Sequence, residues 1–252
     1  MKKVLLVMSS VAMLTACATK VEDPQPMPRV EHVVEKKARE LVWEDNFDSL
    51  STKRWNLLDE GWGDHGRLHH YKPSNVSVED GKLSIKVKEE KYKGFDYTSG
   101  AITTQGKAPI KYGKIEVRAK FPSGAGLLPA IWMLPDNGDP LPEIDIVEMV
   151  TKEPNLGWSV THFMEGSNQT KDGVKEPFRG NMIDEYHVYS VEWTKEGVTY
   201  AVDGKPTLVS DYSPDVPMYL YINTAVGGNW AGKPVNPKDM EDYKIDYVRV
   251  YK

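Results

Sequence analysis

Between Leu41 and Lys252 the apolar residues recur at every second position, in short runs, and no long stretch shows a helical period. Leu83, Ile85 and Val87 alternate with Lys82, Ser84, Lys86 and Lys88. Ile115, Val117, Ala119 and Phe121 alternate with Lys114, Glu116, Arg118 and Lys120. His187, Tyr189, Val191 and Trp193 share one face of a further run, and Val198–Val202 and Ile245–Tyr251 read as two more. Successive side chains of a strand point to opposite faces, so each run offers one face to a core and one to water. Asp80-Gly81, Asp172-Gly173 and Asp203-Gly204 tolerate the left-handed backbone of tight reversals between such runs. Many short strands with frequent turns predict an all-β sandwich or barrel. No internal repeat and no second domain interrupts the pattern, and a chain of this length suits one such domain.

Residues 1–40 follow different rules. Lys2 and Lys3 precede a short apolar stretch, Val4 to Ala12, and then small residues, which is the order of a secretion signal. Leu14-Thr15-Ala16-Cys17 resembles the lipobox of bacterial lipoproteins, and it holds the chain's single Cys. That resemblance implies a signal peptide over residues 1–16, cleavage before Cys17, and lipid on its sulfur. The mature protein would then be an exported bacterial lipoprotein held at the membrane by acyl chains, each buried methylene contributing ~0.8 kcal/mol. Residues 17–40, with Pro24, Pro26 and Pro28 and many charges, read as a tether. Residues 41–252 are the expected folded domain. One Cys excludes an internal disulfide framework and a Cys-based zinc site. The 32 Lys and Arg against 37 Asp and Glu leave a net charge of −5, without the basic stripe that nucleic-acid binding needs. No large apolar stripe is visible, so a monomer is expected.

The chemistry concentrates in Pro142-Glu143-Ile144-Asp145-Ile146-Val147-Glu148-Met149. Glu143 and Asp145 share one strand face, and Ile144 and Ile146 take the other. Glu148, three residues past Asp145, would face away in a regular strand. One extra residue near Val147, a β-bulge, returns it to the acidic face. The alternation alone also fits a strand with its polar residues in water. Crowded carboxylates raise at least one pKa, leaving one proton on the group near neutral pH. A protonated and an ionised carboxyl are the parts for glycoside hydrolysis, and a separation of about 5–5.5 Å goes with retention of configuration.

The wider chain resembles glycoside hydrolase family 16, within it the bulged, laminarinase-like bacterial members. The resemblance rests on Glu143-Ile144-Asp145-Ile146-Val147-Glu148, on the preceding Pro129-Ala130-Ile131-Trp132-Met133-Leu134-Pro135, and on Tyr97-Thr98-Ser99-Gly100, Tyr112–Lys120, Ala225–Trp230 and Asp246–Tyr251. It implies a β-jelly-roll sandwich (concanavalin-like) of two antiparallel sheets. It also implies Glu143 as nucleophile, Glu148 as general acid and then base, and Asp145 as the helper of the nucleophile. His162 matches a His on the following strand, and Trp132 a Trp on the cleft floor. Trp62, Asn229 and Trp230 are further expected substrate contacts.

Twenty of the 25 aromatic residues are Trp or Tyr, whose flat faces and polar edges complement a sugar ring. Trp43, Trp55 and Trp193 read as core, Trp158 as core or cleft, and His69 and His70 as loop or cleft-edge residues. Two positions depart from the family pattern: Leu128 stands where Trp is common, and Ala101 where Arg is common. The resemblance further implies a structural Ca²⁺ with Asp246 as ligand, and no cofactor for the chemistry. The expected activity is a retaining endo-β-glycanase on β-1,3- or mixed β-1,3/1,4-glucan. The same mechanism on an agarose-, porphyran- or carrageenan-type galactan is the alternative; a transglycosylase shares every catalytic residue. A non-catalytic sugar-binding jelly roll would have no use for three crowded carboxylates.

Overall fold

Paired in space, the alternating runs build two antiparallel sheets of eight strands each. The computed structural model describes residues 39–62, 64–173, 177–234 and 240–252, except the side chains of Trp62 and Asp64. Cys17, the signal segment and nearly all of the tether therefore lie outside the described residues. The first sheet runs Lys205–Ser210, Val198–Val202, His187–Trp193, Gly113–Lys120, Tyr243–Tyr251, Lys82–Ile85 and Val76–Glu79, with Leu41–Asp45 also paired to Tyr243–Tyr251. The second runs Asn168–Gly173, Leu156–Glu165, Glu143–Glu148, Leu127–Pro135, Met218–Val226, Ala101–Thr103 and Asn56–Leu57, with Phe178–Arg179 beside Leu156–Glu165.

Between the sheets lies one apolar core. Ile115, Val117 and Ala119 face it from the first sheet, and Ile131, Ile144, Val147 and Ile222 from the second, each fully buried. Burying a side chain of this size contributes ~1.5–3 kcal/mol. Trp55 and Trp193 are buried in this core and Trp43 packs partly buried against it. Val87 falls outside the strand, which ends at Ile85, whereas the last strand starts at Tyr243, two residues before the expected Ile245.

A third sheet of four short strands was not expected. It joins Gly61–Trp62, His69–Tyr71, Phe95–Ser99 and Lys88–Tyr92, with a parallel pair between His69–Tyr71 and Phe95–Ser99. It corrects the loop reading of His69 and His70, which are buried strand residues. One ring nitrogen of each is bonded, which offsets part of the cost of burial. His69 Nδ1 accepts the Val226 amide at 3.1 Å, and His70 Nε2 lies 2.7 Å from Asp59 Oδ1.

The bulge sits in the Glu143–Glu148 strand. On one side Ile131 pairs with Val147 but Trp132 with Asp145, which leaves Ile146 over. On the other side Asp145 pairs with Val160 and Glu148 with Trp158, so three steps along one strand match two along its neighbour. Ile144, Ile146 and Val147 all enter the core as a result. Replacing Ile146 with Ala should lower stability by ~2–5 kcal/mol, a Tm drop of roughly 5–15 °C, with the sheet topology retained. A Tm within a degree or so of the parent protein would show that the inner face of this strand is not packed as described.

Candidate active site

The bulge brings Glu143, Asp145 and Glu148 to one wall of a cleft that also holds Arg67, Leu128, Ala130, Trp132 and Asn223. The cleft continues into a cavity of about 560 Å³ lined by His65, Trp158, His162, Lys171, Asn229 and Trp230 among others. Register explains the placement. Trp132 pairs with Asp145 and Ala130 with Glu148 on one side, and Glu143 pairs with His162 on the other. Directly opposed residues share a face, so Trp132, Asp145 and Glu143 join His162 on the cleft side.

The aromatic floor is rigid. Trp132 donates its indole N–H to Asn223 Oδ1 at 2.8 Å and stacks on Tyr221 at 4.6 Å. Asn223 in turn donates to the Tyr71 hydroxyl at 2.7 Å. Trp158, which the sequence left between core and cleft, lines the cleft. Its indole N–H is buried with no hydrogen-bond partner among the described residues. Trp230 meets Trp158 edge to face at 6.4 Å. The Trp62 backbone pairs with His69, and its side chain lies outside what the structure describes.

Low dielectric dominates the electrostatics. Asp145 is only 2 % exposed, and His162 Nε2 lies 3.3 Å from its Oδ2. One polar atom each from Glu143, Asp145 and His162 falls within 4.8 Å of the others. Burial, reinforced by the neighbouring Asp145, pushes the Glu143 carboxyl up to about 9. Burial and the charge of Glu143 push Glu148 up to about 7. Asp145 is raised as well, by burial and by Glu148. The wall therefore holds protons that separate carboxyls would have lost at neutral pH. A carboxyl near 7 is poised to give and take a proton, which suits Glu148 to general acid and base work. Glu143 and Asp145 are hydrogen-bonded, so one proton shared between them still leaves one carboxylate.

Arg67, His65, Lys171 and Asn223 stand in no motif, and only long-range pairing brings them to the cleft.

The full constellation is a bulged strand bearing three carboxyls, opposed to a Trp-floored cleft on an antiparallel sandwich. The family model for glycosyl hydrolases family 16 matches residues 67–249. The chain belongs to that family. It is 35 % identical over 258 residues to glucan endo-1,3-beta-glucosidase A1 of Niallia circulans, covering 84 % of this chain and 38 % of that protein. It is 34 % identical over 251 residues to the beta-glucanase of Rhodothermus marinus, covering 84 % and 85 % respectively. The crystal structure of the laminarinase catalytic domain of Thermotoga maritima superposes with a TM-score of 0.76 at 34 % identity, over 85 % of this chain and 98 % of that one. This family 16 member is thus a glycoside hydrolase with the expected jelly-roll sandwich.

The surroundings of Asp246 do not suit a calcium ion. Asp246 sits on the other sheet from the carboxyl wall, at a register shift between Ala119–Ile245 and Arg118–Tyr247. Its Oδ1 lies 3.1 Å from Lys82 Nζ, and its Oδ2 accepts from Arg118 Nη1. Burial alone would raise this carboxyl, but Arg118 and Lys82 hold it below the usual range. Asp45 is also committed, accepting from the Phe47 amide and the Trp55 indole, each at 2.9 Å. A divalent cation at Asp246 would meet two positive side chains. The Tm of the family 16 hydrolase should be the same in EDTA as in millimolar calcium; a rise of several degrees with calcium would overturn this assignment.

The raised carboxyls also set a pH dependence of stability. Their folded pKa values exceed the unfolded ones, so stability is full at low pH and is lost as pH rises through the folded values. For Glu143 the window runs from its ordinary 4.5 to about 9. Glu143→Gln should raise Tm near the upper end of that window, by roughly 2–4 °C for each kcal/mol recovered. The gain should vanish toward its lower end; a pH-independent or negative change would contradict the charge crowding.

Proposed function

We propose that this family 16 hydrolase is a retaining endo-β-glycanase acting on β-1,3- or mixed β-1,3/1,4-glucan, exported and tethered to a membrane through a lipid on Cys17. The bulged strand carries the proposal: it sets three carboxyls with shared protons on one wall, beside a Trp floor shaped for sugar rings. The chain covers 38 % of the length of the Niallia circulans glucosidase and 85 % of that of the Rhodothermus marinus beta-glucanase.

In the proposed reaction the Glu143 carboxylate attacks the anomeric carbon while Glu148 delivers its proton to the departing glycosidic oxygen. The bond to the leaving sugar breaks and an ester to Glu143 forms. Glu148, now ionised, takes a proton from water, and the resulting hydroxyl displaces Glu143 with a second inversion. Asp145 and His162 touch Glu143 or each other and hold the nucleophile in place. Trp132 and Trp158 offer faces to the sugar rings.

Laminarin and lichenan hydrolysis, followed by proton NMR during the first turnovers, tests this directly. The newly formed reducing ends should appear first as the β anomer; α first would exclude a retaining route. Glu148→Gln should cost about 10²–10⁴-fold on polysaccharide and far less on activated aryl glycosides, which need no proton. Inactivity on glucans with cutting of agarose or porphyran would move the substrate to a galactan, a choice left open by Leu128 in the cleft lining and Ala101 beneath it. Cys17→Ser should move the protein from the membrane to the soluble fraction; unchanged membrane association would remove the lipid anchor.

A further inference from the structure

The strand that faces the bulge carries its polar residues on the unexpected side. In Trp158-Ser159-Val160-Thr161-His162 the cleft takes Trp158, Val160 and His162. Ser159 and Thr161 therefore turn toward the core. Both are buried there, Ser159 at 1 % exposed. An inward strand position ordinarily takes an apolar side chain, and a buried hydroxyl costs free energy unless it is bonded. Each of these two is bonded, and each bond bears on the carboxyl wall.

Ser159 donates its hydroxyl to the Ile146 carbonyl at 2.8 Å. Ile146 is the residue left over where the bulged strand meets Leu127–Pro135. Ser159 stands between Val160, opposite Asp145, and Trp158, opposite Glu148, so it alone faces the irregular step. A bulge disrupts the backbone ladder at such a step. The Ser159 hydroxyl ties that place to the facing strand. The tied carbonyl belongs to the Ile146–Val147 peptide, and Glu148 is the next residue along. A tilt of that peptide turns the Glu148 side chain with it.

The facing strand is itself held from behind. Tyr200, fully buried on the Val198–Val202 strand of the first sheet, reaches across the core. Its hydroxyl donates to Val160 O at 2.9 Å and lies 2.6 Å from Thr161 Oγ1. Ser159 thus grips the bulge from a strand fixed to the opposite sheet. Packing of Ile144, Ile146 and Val147 places the bulge, but apolar burial has no direction. A hydrogen bond does, and acid chemistry needs its donor aimed to within about 0.5 Å. Glu143 needs no such tie. It lies on the regular part of the strand, where Glu143, Ile144 and Asp145 pair in turn with His162, Thr161 and Val160.

We propose that Ser159 is a positioning residue for the acid: through the Ile146 carbonyl it sets the direction in which Glu148 meets the glycosidic oxygen. This deepens the glycanase reading and rests on it. Ser159 lies behind the cleft wall and touches no sugar, so its effect falls on proton delivery and spares the nucleophile.

The test compares the full-length protein with its Ser159→Ala, Ser159→Thr and Ser213→Ala variants. The substrates are laminarin and the dinitrophenyl β-glycoside of its disaccharide, or agarose and its matching glycoside if the parent protein cuts only galactan. The polysaccharide needs a proton on its leaving oxygen, and dinitrophenolate does not. Ser159→Ala should lower kcat/KM on the polysaccharide about ten- to a hundredfold and on the aryl glycoside by less than about threefold. The alkaline limb of its polysaccharide kcat/KM profile should move to lower pH, because a Glu148 released from its setting gains water. Ser159→Thr keeps the hydroxyl and should recover most of the rate. Ser213 donates to Thr194 O at 2.6 Å, away from the carboxyl wall. Ser213→Ala should lower Tm and leave both rates unchanged. Full activity of Ser159→Ala overturns the proposal, as does an equal loss on both substrates or a matching loss in Ser213→Ala. A folded Ser159→Thr as slow as Ser159→Ala also overturns it, and so does a Ser159→Ala protein that is unfolded at the assay temperature, whose Ser159 would be structural. If the unmutated protein cleaves no glycan, the glycanase reading itself falls, and the positioning role with it.

Discussion

One surplus residue in one strand holds the cleft together. A regular strand from Glu143 to Glu148 would send both Glu148 and Val147 to the wrong face. With Ile146 unpaired toward the neighbouring Leu127–Pro135 strand, Ile144, Ile146 and Val147 all close the core, and all three acids reach the cleft. The apolar side is what makes the acidic side sustainable. Burial of that kind contributes several kcal/mol locally, enough to hold carboxyls where they repel one another and lose hydration. A bulge thus couples packing on one face to chemistry on the other.

The carboxyl wall shows how far charge crowding can be used. Burial is the leading cause of each raised carboxyl, with neighbouring carboxylates adding to it. The three then act as one titrating group, and His162 beside Asp145 brings a partial counterweight. Activity and stability pull in opposite directions here. The same desolvation that lets Glu148 carry a proton near neutrality weakens the fold as pH rises. Trp132, fixed by Asn223 and stacked on Tyr221, limits how far the wall can relax, so the strain stays available to the substrate.

How much of this was legible in the sequence follows from distance along the chain. The all-β fold was readable because Ile115, Val117 and Ala119 alternate with charges at period two, and the structure buries all three. The acidic wall was readable because its members lie within six residues of one another. Arg67 and Lys171 were invisible, since one reaches the cleft through a bridge to Gly227 and the other through a register to His162. His69 and His70 looked like loop residues because the segment before Tyr71 resembles a substrate-side loop of the family. Their partners, Val226 at 157 residues and Asp59 at 11, appear only when the chain is folded. Asp246 misled for the same reason: its countercharges Lys82 and Arg118 stand on different strands.

Asp246 and the cleft are two solutions to one problem. On the first sheet a half-buried carboxylate meets two cations from adjacent strands, and the charges neutralise within the protein. Nothing is left for an outside ion to balance. In the cleft the charges are sorted by sign instead. Carboxyls gather on the strand with the bulge, and cations gather on the loop of Arg67 and the edge strand of Lys171. Keeping like charges together is unfavourable for a resting protein and productive for one whose ligand supplies the missing complement. In the proposed reaction the sugar chain brings ring faces to Trp132 and Trp158 and a glycosidic oxygen to Glu148.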